Sequence, residues 1–142
     1  REAQAVVTDL AAFKVPVILF SGGEPLIRED VFDLMAQAVS LDIQPVVSTN
    51  GMLIDAAMTD RLKAAGVKRV GISIDGLEKT NDGFRQKDGA FRQTMDGIRA
   101  SMEAGFRVSL RFTMTQYNVD ELDEIFALVE EMKIQSIIKL FH

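Results

Sequence analysis

Pro16-Val17-Ile18-Leu19-Phe20-Ser21-Gly22-Gly23-Glu24-Pro25 is the stretch on which the fold turns. Pro16–Ser21 is an apolar run that ends in glycines, the pattern of a strand buried on both faces of a parallel sheet. Gly22 and Gly23 free the backbone to approach a ligand with carbonyls pointing inward. Pro25 then fixes the exit of the turn. Inward carbonyls beside Glu24 suit a cationic amine better than a phosphate, because no lysine follows and the carboxylate repels an anion. The bland account of the same glycines is a simple turn out of a strand.

Working outward, β-branched runs alternate with helical patterns. Residues 3–13 read as a helix of an earlier unit. Asp30–Leu41 sets Val31, Met35, Ala38 and Val39 on one helical stripe. Gln44–Ser48 is a second strand. Ala56–Ala65 is a helix with Met58, Leu62 and Ala65 inward and Gly66 as its C-terminal cap. Lys68–Ile74 is a third strand, followed by a long polar connection, Lys79–Gly89, of the kind that often forms a lid. Phe91–Ala104 is a helix with Phe91, Met95, Ile98 and Met102 aligned, stopped at Gly105. The methionines at positions 35, 58, 95 and 102 are core residues on this spacing. Arg107–Thr113 is a fourth strand. Asn118 is then expected to cap a helix whose Leu122, Ile125, Phe126 and Val129 face inward, with Glu121 completing a capping-box variant. Ser136–Leu140 reads as a fifth strand. The strands recur at the length of one βα unit, and right-handed crossovers make them parallel with helices covering the sheet. Strand order decides between an arc of a βα barrel and a doubly wound sheet, and the sequence leaves that open.

Composition narrows the function. The chain has 142 residues, 47% of them hydrophobic, and 16 basic against 21 acidic residues give a net charge of −5. No basic stripe interleaves with aromatics, so nucleic-acid binding has no support. The acidic residues Asp120, Glu121, Asp123, Glu124, Glu130 and Glu131 read as the solvated face of one helix, whose acidic first turn suits the helix dipole. No apolar run is long enough to span a bilayer, and no signal pattern opens the chain, so a cytoplasmic location is expected. There are no cysteines, and the one histidine is His142. A cysteine-ligated metal, a disulfide and a histidine triad are therefore all outside these residues. The opening at Arg1, without methionine and inside a helical pattern, is expected of a single-domain central piece of a longer polypeptide.

In parallel α/β folds ligands sit at the carboxyl ends of the strands. The first strand is followed by Ser21–Pro25, the second by Ser48-Thr49-Asn50-Gly51. The third ends in Ser73-Ile74-Asp75-Gly76, and the fourth carries Arg111 and Thr113 with Gln116 and Asn118 beyond. Asn50-Gly51 and Asp75-Gly76 are ordinary turn pairs. Thr49 and Ser73 stand where a hydroxyl donates to a carboxylate or a sugar. Arg111 takes the opposite face from Phe112. It points either inward, where it needs an anion, or toward the helices, where it snorkels. Arg85 is expected as a surface loop residue. Four polar strand ends in succession make a binding site the better reading.

These stretches, with Phe84-Arg85 and Gly89-Ala90-Phe91, resemble the radical S-adenosylmethionine (SAM) superfamily. The likeness is to the branch of molybdenum-cofactor, pyrroloquinoline-quinone and haem d1 biosynthesis and the anaerobic sulfatase-maturing enzymes. Ile138–His142 is similar to the haem d1 type. The resemblance runs from Val17 to Phe141 and implies an arc of a partial (βα)6 TIM-like barrel. It implies SAM and a 4Fe-4S cluster as cofactors of the parent enzyme. There, SAM is reductively cleaved to a radical that acts on a small-molecule or peptide substrate, with a reductant for the cluster. It further implies that Gly22, Gly23 and Glu24 hold the SAM amino group, that Thr49 and Ser73 contact its ribose and carboxylate, and that Arg111 pairs with the carboxylate.

The CxxxCxxC loop that binds the cluster in this family is absent, as is the barrel's first strand. No cofactor is therefore expected on this piece alone, which is expected to be inactive. The open sheet edge invites pairing into a homodimer. The competing readings are a βα-barrel enzyme of another chemistry and a non-catalytic small-molecule binding domain. The first lacks a strand-end lysine and paired catalytic carboxylates.

Overall fold

The computed structural model describes residues 2–134 and the strand at 136–141, with side chains placed as far as Ile137. Five parallel strands, β1 (Val17–Phe20), β2 (Gln44–Thr49), β3 (Arg69–Ile74), β4 (Arg107–Met114) and β5 (Ser136–Phe141), lie in the order of the chain. That neighbour-to-neighbour order, with no reversal, is the arc of a βα barrel and excludes the doubly wound alternative. The helices are α1 (Glu2–Ala12), α2 (Val31–Ser40), α3 (Ala56–Ala64), α4 (Glu78–Arg85), α5 (Ala90–Glu103) and α6 (Leu122–Glu131). The likeness of Ile138–His142 rests partly on His142, which lies outside the described residues.

The core lies between the sheet and the helices. Val47, Val70, Ile72, Ile74, Leu110 and Phe112 point outward from the strands and are fully buried against Met35, Leu62, Ile98 and Ile125 of the helices. Burying each such side chain contributes roughly 1.5–3 kcal/mol. A second cluster of Val7, Leu34, Ala38 and Ile43 joins α1 and α2 to β1. On α2, Leu34 rather than Val39 completes the buried stripe, and Val39 is half exposed. The C-terminal stops at Gly66 and Gly105 form as expected. In each, the following residue donates its N–H back into the helix, Val67 to Leu62 and Phe106 to Ser101.

The inner face of the sheet has no such cover. Register places Val17, Leu19, Gln44, Val46, Ser48, Arg69, Gly71, Ser73, Arg107, Ser109, Arg111 and Thr113 together on it. The expectation that β1 is buried on both faces is therefore corrected, since Val17 is 47% and Leu19 44% exposed. Their outward neighbours Ile18 and Phe20 pack on the second cluster. A strand reads as doubly buried when both faces are apolar, yet only the helix side is filled here.

Two expectations about helix starts are also revised. Most of the polar connection after the third strand is helical, as α4. Its N-terminus is capped from another unit, with Glu121 Oε2 accepting from Leu77 N at 2.6 Å and Glu121 also accepting from the Thr80 hydroxyl. Asp82 of α4 in turn caps α5, accepting from Gly89 N at 2.6 Å and Phe91 N at 2.7 Å. Asn118 does not cap α6. Its amide instead accepts from Thr115 N and donates to the carbonyls of Asp75 and Thr113. A short 3-10 turn at Val119–Glu121 precedes α6, which leaves Glu121 free to reach α4.

Candidate functional site

The carboxyl ends of β1 to β4 converge on one rim of the inner face. After β1 the chain turns at Gly22, whose φ of 142° is one that side chains other than glycine rarely adopt. A Cβ placed on Gly22 or Gly23 would meet nothing within 4 Å, so the turn is open toward the rim. Conformation requires glycine at 22, and crowding does not.

Glu24 holds a different position from the one expected. Its Oε1 accepts from Leu26 N at 3.1 Å and Thr49 Oγ1 at 2.8 Å, and its Oε2 from Thr49 Oγ1 at 2.9 Å and Asn50 N at 2.9 Å. That occupies most of what a carboxylate can accept. The side chain is a strut tying the β1 turn to the end of β2, and its oxygens are spent inside the protein. Thr49 is corrected in the same way. It points to the helix side, is 2% exposed, gives its one hydroxyl proton to Glu24 and accepts from Gly51 N at 3.0 Å. A direct donation from Thr49 to a ligand is therefore replaced by support of Glu24. The rim-facing residue of that strand end is its neighbour Ser48.

Helix α5 holds the same loop from behind. The Thr94 hydroxyl donates to the Asn50 carbonyl at 2.9 Å. Gly97 lies so close to the Gly51 carbonyl that a Cβ there would overlap its oxygen and stand 3.0 Å from its carbon.

At β3 and β4 the inward residues do meet. Arg111 lies on the inner face, crosses β3 and donates from a terminal nitrogen to Ser48 Oγ on β2 at 2.7 Å. Gly71 makes the crossing possible, since a Cβ there would stand 3.1 Å from Arg111 Nε. That Nε is buried and has no hydrogen-bond partner. Ser73 Oγ points to the same rim, donates a long hydrogen bond to the Thr49 carbonyl at 3.4 Å and accepts from Arg85 at 3.0 Å. Arg85 is thus no solvated loop residue. It folds back from the end of α4, pairs with Asp75 at 2.7 Å and reaches the Ser73 carbonyl at 3.3 Å. Its place is hidden in the sequence because the polar run Glu78–Arg85 carries no apolar stripe that would mark a helix. Phe84 and Tyr117, both exposed, meet edge to face beside this rim with ring centroids 6.5 Å apart.

The arrangement fits part of what the resemblance implies. Open glycine backbone, the Ser73 hydroxyl and an Arg111 N–H that is buried and unspent suit a ligand carrying a carboxylate beside other polar groups. A 4Fe-4S cluster does not fit. The chain has no cysteine, and no grouping of His, Cys, Asp or Glu suited to a metal occurs among the described residues. No helix among the described residues is long and apolar enough to cross a membrane.

Fold and rim define the class, a βα-barrel arc whose polar strand ends converge on one rim. The sequence profile described as the radical SAM superfamily matches residues 1–129, and the chain belongs to that superfamily. It is 47% identical over 137 residues to the Fe-coproporphyrin III synthase of Methanosarcina barkeri, covering 96% of this chain and 34% of that protein. It is 41% identical over 130 residues to the pre-heme d1 synthase of Dinoroseobacter shibae, covering 92% and 32%. The solved structure of anSMEcpe with bound AdoMet and the Kp18Cys peptide superposes with a TM-score of 0.81 at 18% identity, over 98% of this chain and 41% of that one. That likeness is one of fold. The chain spans about a third of the length of the two relatives named.

Proposed function

We propose that this chain is the SAM-binding core of a cytoplasmic radical SAM enzyme of cofactor biosynthesis, of the haem d1 and coproporphyrin kind. The observation that carries it is the convergence on one rim of the open Gly22–Gly23 backbone, Ser73 and Arg111 with its unspent N–H. The relatives' names support the pathway class. Backbone carbonyls at Gly22 and Gly23 accept from the SAM amino group, and Glu24 with Thr49 holds that turn in place. Ser73 and Arg111 receive the carboxylate and ribose, the first by its hydroxyl and the second by charge-assisted hydrogen bonds. SAM supplies, when bound and reduced, the 5′-deoxyadenosyl group that abstracts hydrogen. Residues 1–142 act as one domain, and the thiolates and the reductant contact belong to the rest of the longer protein.

Anaerobic incubation of the full-length protein with SAM and dithionite tests this, with release of 5′-deoxyadenosine expected. Iron-free protein that neither binds nor cleaves SAM would refute the reading in favour of a binding domain or another barrel chemistry. Expressed alone, the chain is expected to pair through its exposed β1 edge. Monomeric sedimentation at high concentration would count against that pairing.

A further inference from the structure

Asn50-Gly51, just past the end of β2, is the only Asn-Gly pair in the chain. Such a pair is prone to spontaneous deamidation, because glycine leaves its backbone nitrogen unobstructed and its conformation free. The Gly51 nitrogen loses its proton and adds to Cγ of Asn50, ammonia leaves, and a succinimide closes. Water then opens the ring to an aspartate or an isoaspartate, with no oxidant or reductant involved. The fold cannot dispense with the glycine. Gly51 has a φ of 79°, and a Cβ on it would stand 2.8 Å from Cγ2 of Ile72, a fully buried core residue.

Every group that must move in that reaction is held. The Gly51 N–H donates to Thr49 Oγ1 at 3.0 Å, and the Thr49 hydroxyl gives its own proton to Glu24. Loss of the Gly51 proton would thus place a negative charge one hydroxyl away from a carboxylate, where Thr49 and Gly51 are both buried. Such a charge is costly without a partner. The attacked side chain is restrained too, since Asn50 Oδ1 accepts from Met52 N at 2.9 Å. Its backbone is pinned on both sides, with the N–H donating to Glu24 at 2.9 Å and the carbonyl accepting from Thr94 Oγ1 at 2.9 Å. The Gly51 carbonyl accepts from Ile54 N at 3.1 Å and lies against Gly97. We infer that Asn50 is a spontaneous modification site, and that Thr49 with Glu24, and Thr94 from behind, keep it unreacted in the folded protein. This goes beyond the SAM-core reading and does not depend on it. Either product adds a carboxylate at position 50, beside Glu24, and the isoaspartate also lengthens the main chain by a methylene. Deamidation is therefore an ageing step that loosens the Glu24 strut.

The test follows the full-length protein over time at mildly alkaline pH. Peptide mapping by mass spectrometry measures conversion of the Asn50 amide to the acid, and labelling with an isoaspartyl methyltransferase counts the isoaspartate. Native wild type is expected to react at least about a hundredfold more slowly than the same protein in guanidinium chloride, because reaction waits for local opening. Thr49→Val is expected to speed the native reaction about tenfold, and Thr94→Val about threefold, as hydrogen bonds to a charged and a neutral partner are lost. Glu121→Ala, which loosens α4 instead, is expected to leave the Asn50 rate at the wild-type value. A native rate equal to the denatured one, or wild-type rates in both threonine variants, would overturn the inference. So would equal acceleration in Glu121→Ala, since the protection would then be that of global stability. Circular dichroism checks each fold, and if Thr49→Val is unfolded, the Thr94→Val rate and the native-to-denatured ratio of wild type decide.

Discussion

Replacing Gly97 by alanine tests the close seat of α5 on the β2 loop. In an ordinary helix interior this change stabilises by about 1 kcal/mol, because alanine has the better helix propensity. Here the added methyl would overlap the Gly51 carbonyl oxygen and press on its carbon at 3.0 Å, with Ile54 Cβ at 3.4 Å. The obstacle is backbone, which has no rotamer to give, so the cost is that of overpacking, typically 1–3 kcal/mol. For a chain of 142 residues, the usual unfolding entropy per residue converts this into a fall in Tm of roughly 3–10 °C. Gly83 in α4 is the internal control. Nothing lies within 4 Å of its Cβ position, so Gly83→Ala should be stabilising by up to about 1 kcal/mol. Thermal and urea unfolding of both variants decide the matter. A Gly97→Ala protein as stable as wild type, or more so, would refute the close approach and the support it gives the loop holding Glu24.

Thr49→Val keeps the shape of a buried side chain but removes the hydroxyl that Glu24 accepts from. A loss of about 1.5–3 kcal/mol is expected from urea unfolding, as for a hydrogen bond to a charged group. Glu121→Ala removes the cap on α4 supplied through Leu77 N. About 1 kcal/mol should be lost, with amides of Leu77–Asn81 exchanging faster with deuterium while those of α2 stay protected. The Asp82 carboxyl is held below the ordinary carboxylate range, chiefly by the N–H of Phe91 and, against the opposing effect of burial, by that of Gly89. A depressed folded value means that its stabilisation is complete above the unfolded value near about 3.9. It is lost as pH falls through the lower folded value. Urea midpoints measured down that acid range should fall more steeply for wild type than for Asp82→Asn. Parallel profiles would count against the cap.

Strands and helices with strong apolar patterns were legible because their burial is written into local periodicity. β2 to β4 and α5 fall within a residue or two of where Val, Ile, Met and Phe place them. The inward direction of Arg111 was not legible, because a strand residue's face is set by register with its neighbours. Pairing with Ser73 on β3 fixes it. Thr49 illustrates the same limit, since the last hydroxyl of a strand looks like a ligand donor until the ladder shows it facing the helices opposite Ile72. The α4 helix was hidden for another reason. Its run Glu78–Arg85 is almost wholly polar and owes its start to Glu121, 44 residues from Leu77 in sequence. Arg85 and its pairing with Asp75 were hidden with it. The radical SAM class was legible from four strand ends together, even though this chain carries no cysteine.

The caps that cross between units have a consequence for how such barrels diversify. Asp82 of α4 caps α5, Glu121 from the turn after β4 caps α4, and Thr94 of α5 secures the turn after β2. A genetic exchange that swaps one βα module for that of a distant cousin would cut these ties at both borders, orphaning an acceptor on one side and a donor on the other. Crossovers placed within the α2–β2 stretch spare all three and part Glu24 from Thr49 and Asn50 instead. Hybrid barrels built by recombination should therefore survive breakpoints there far more often than breakpoints between Gly76 and Leu122.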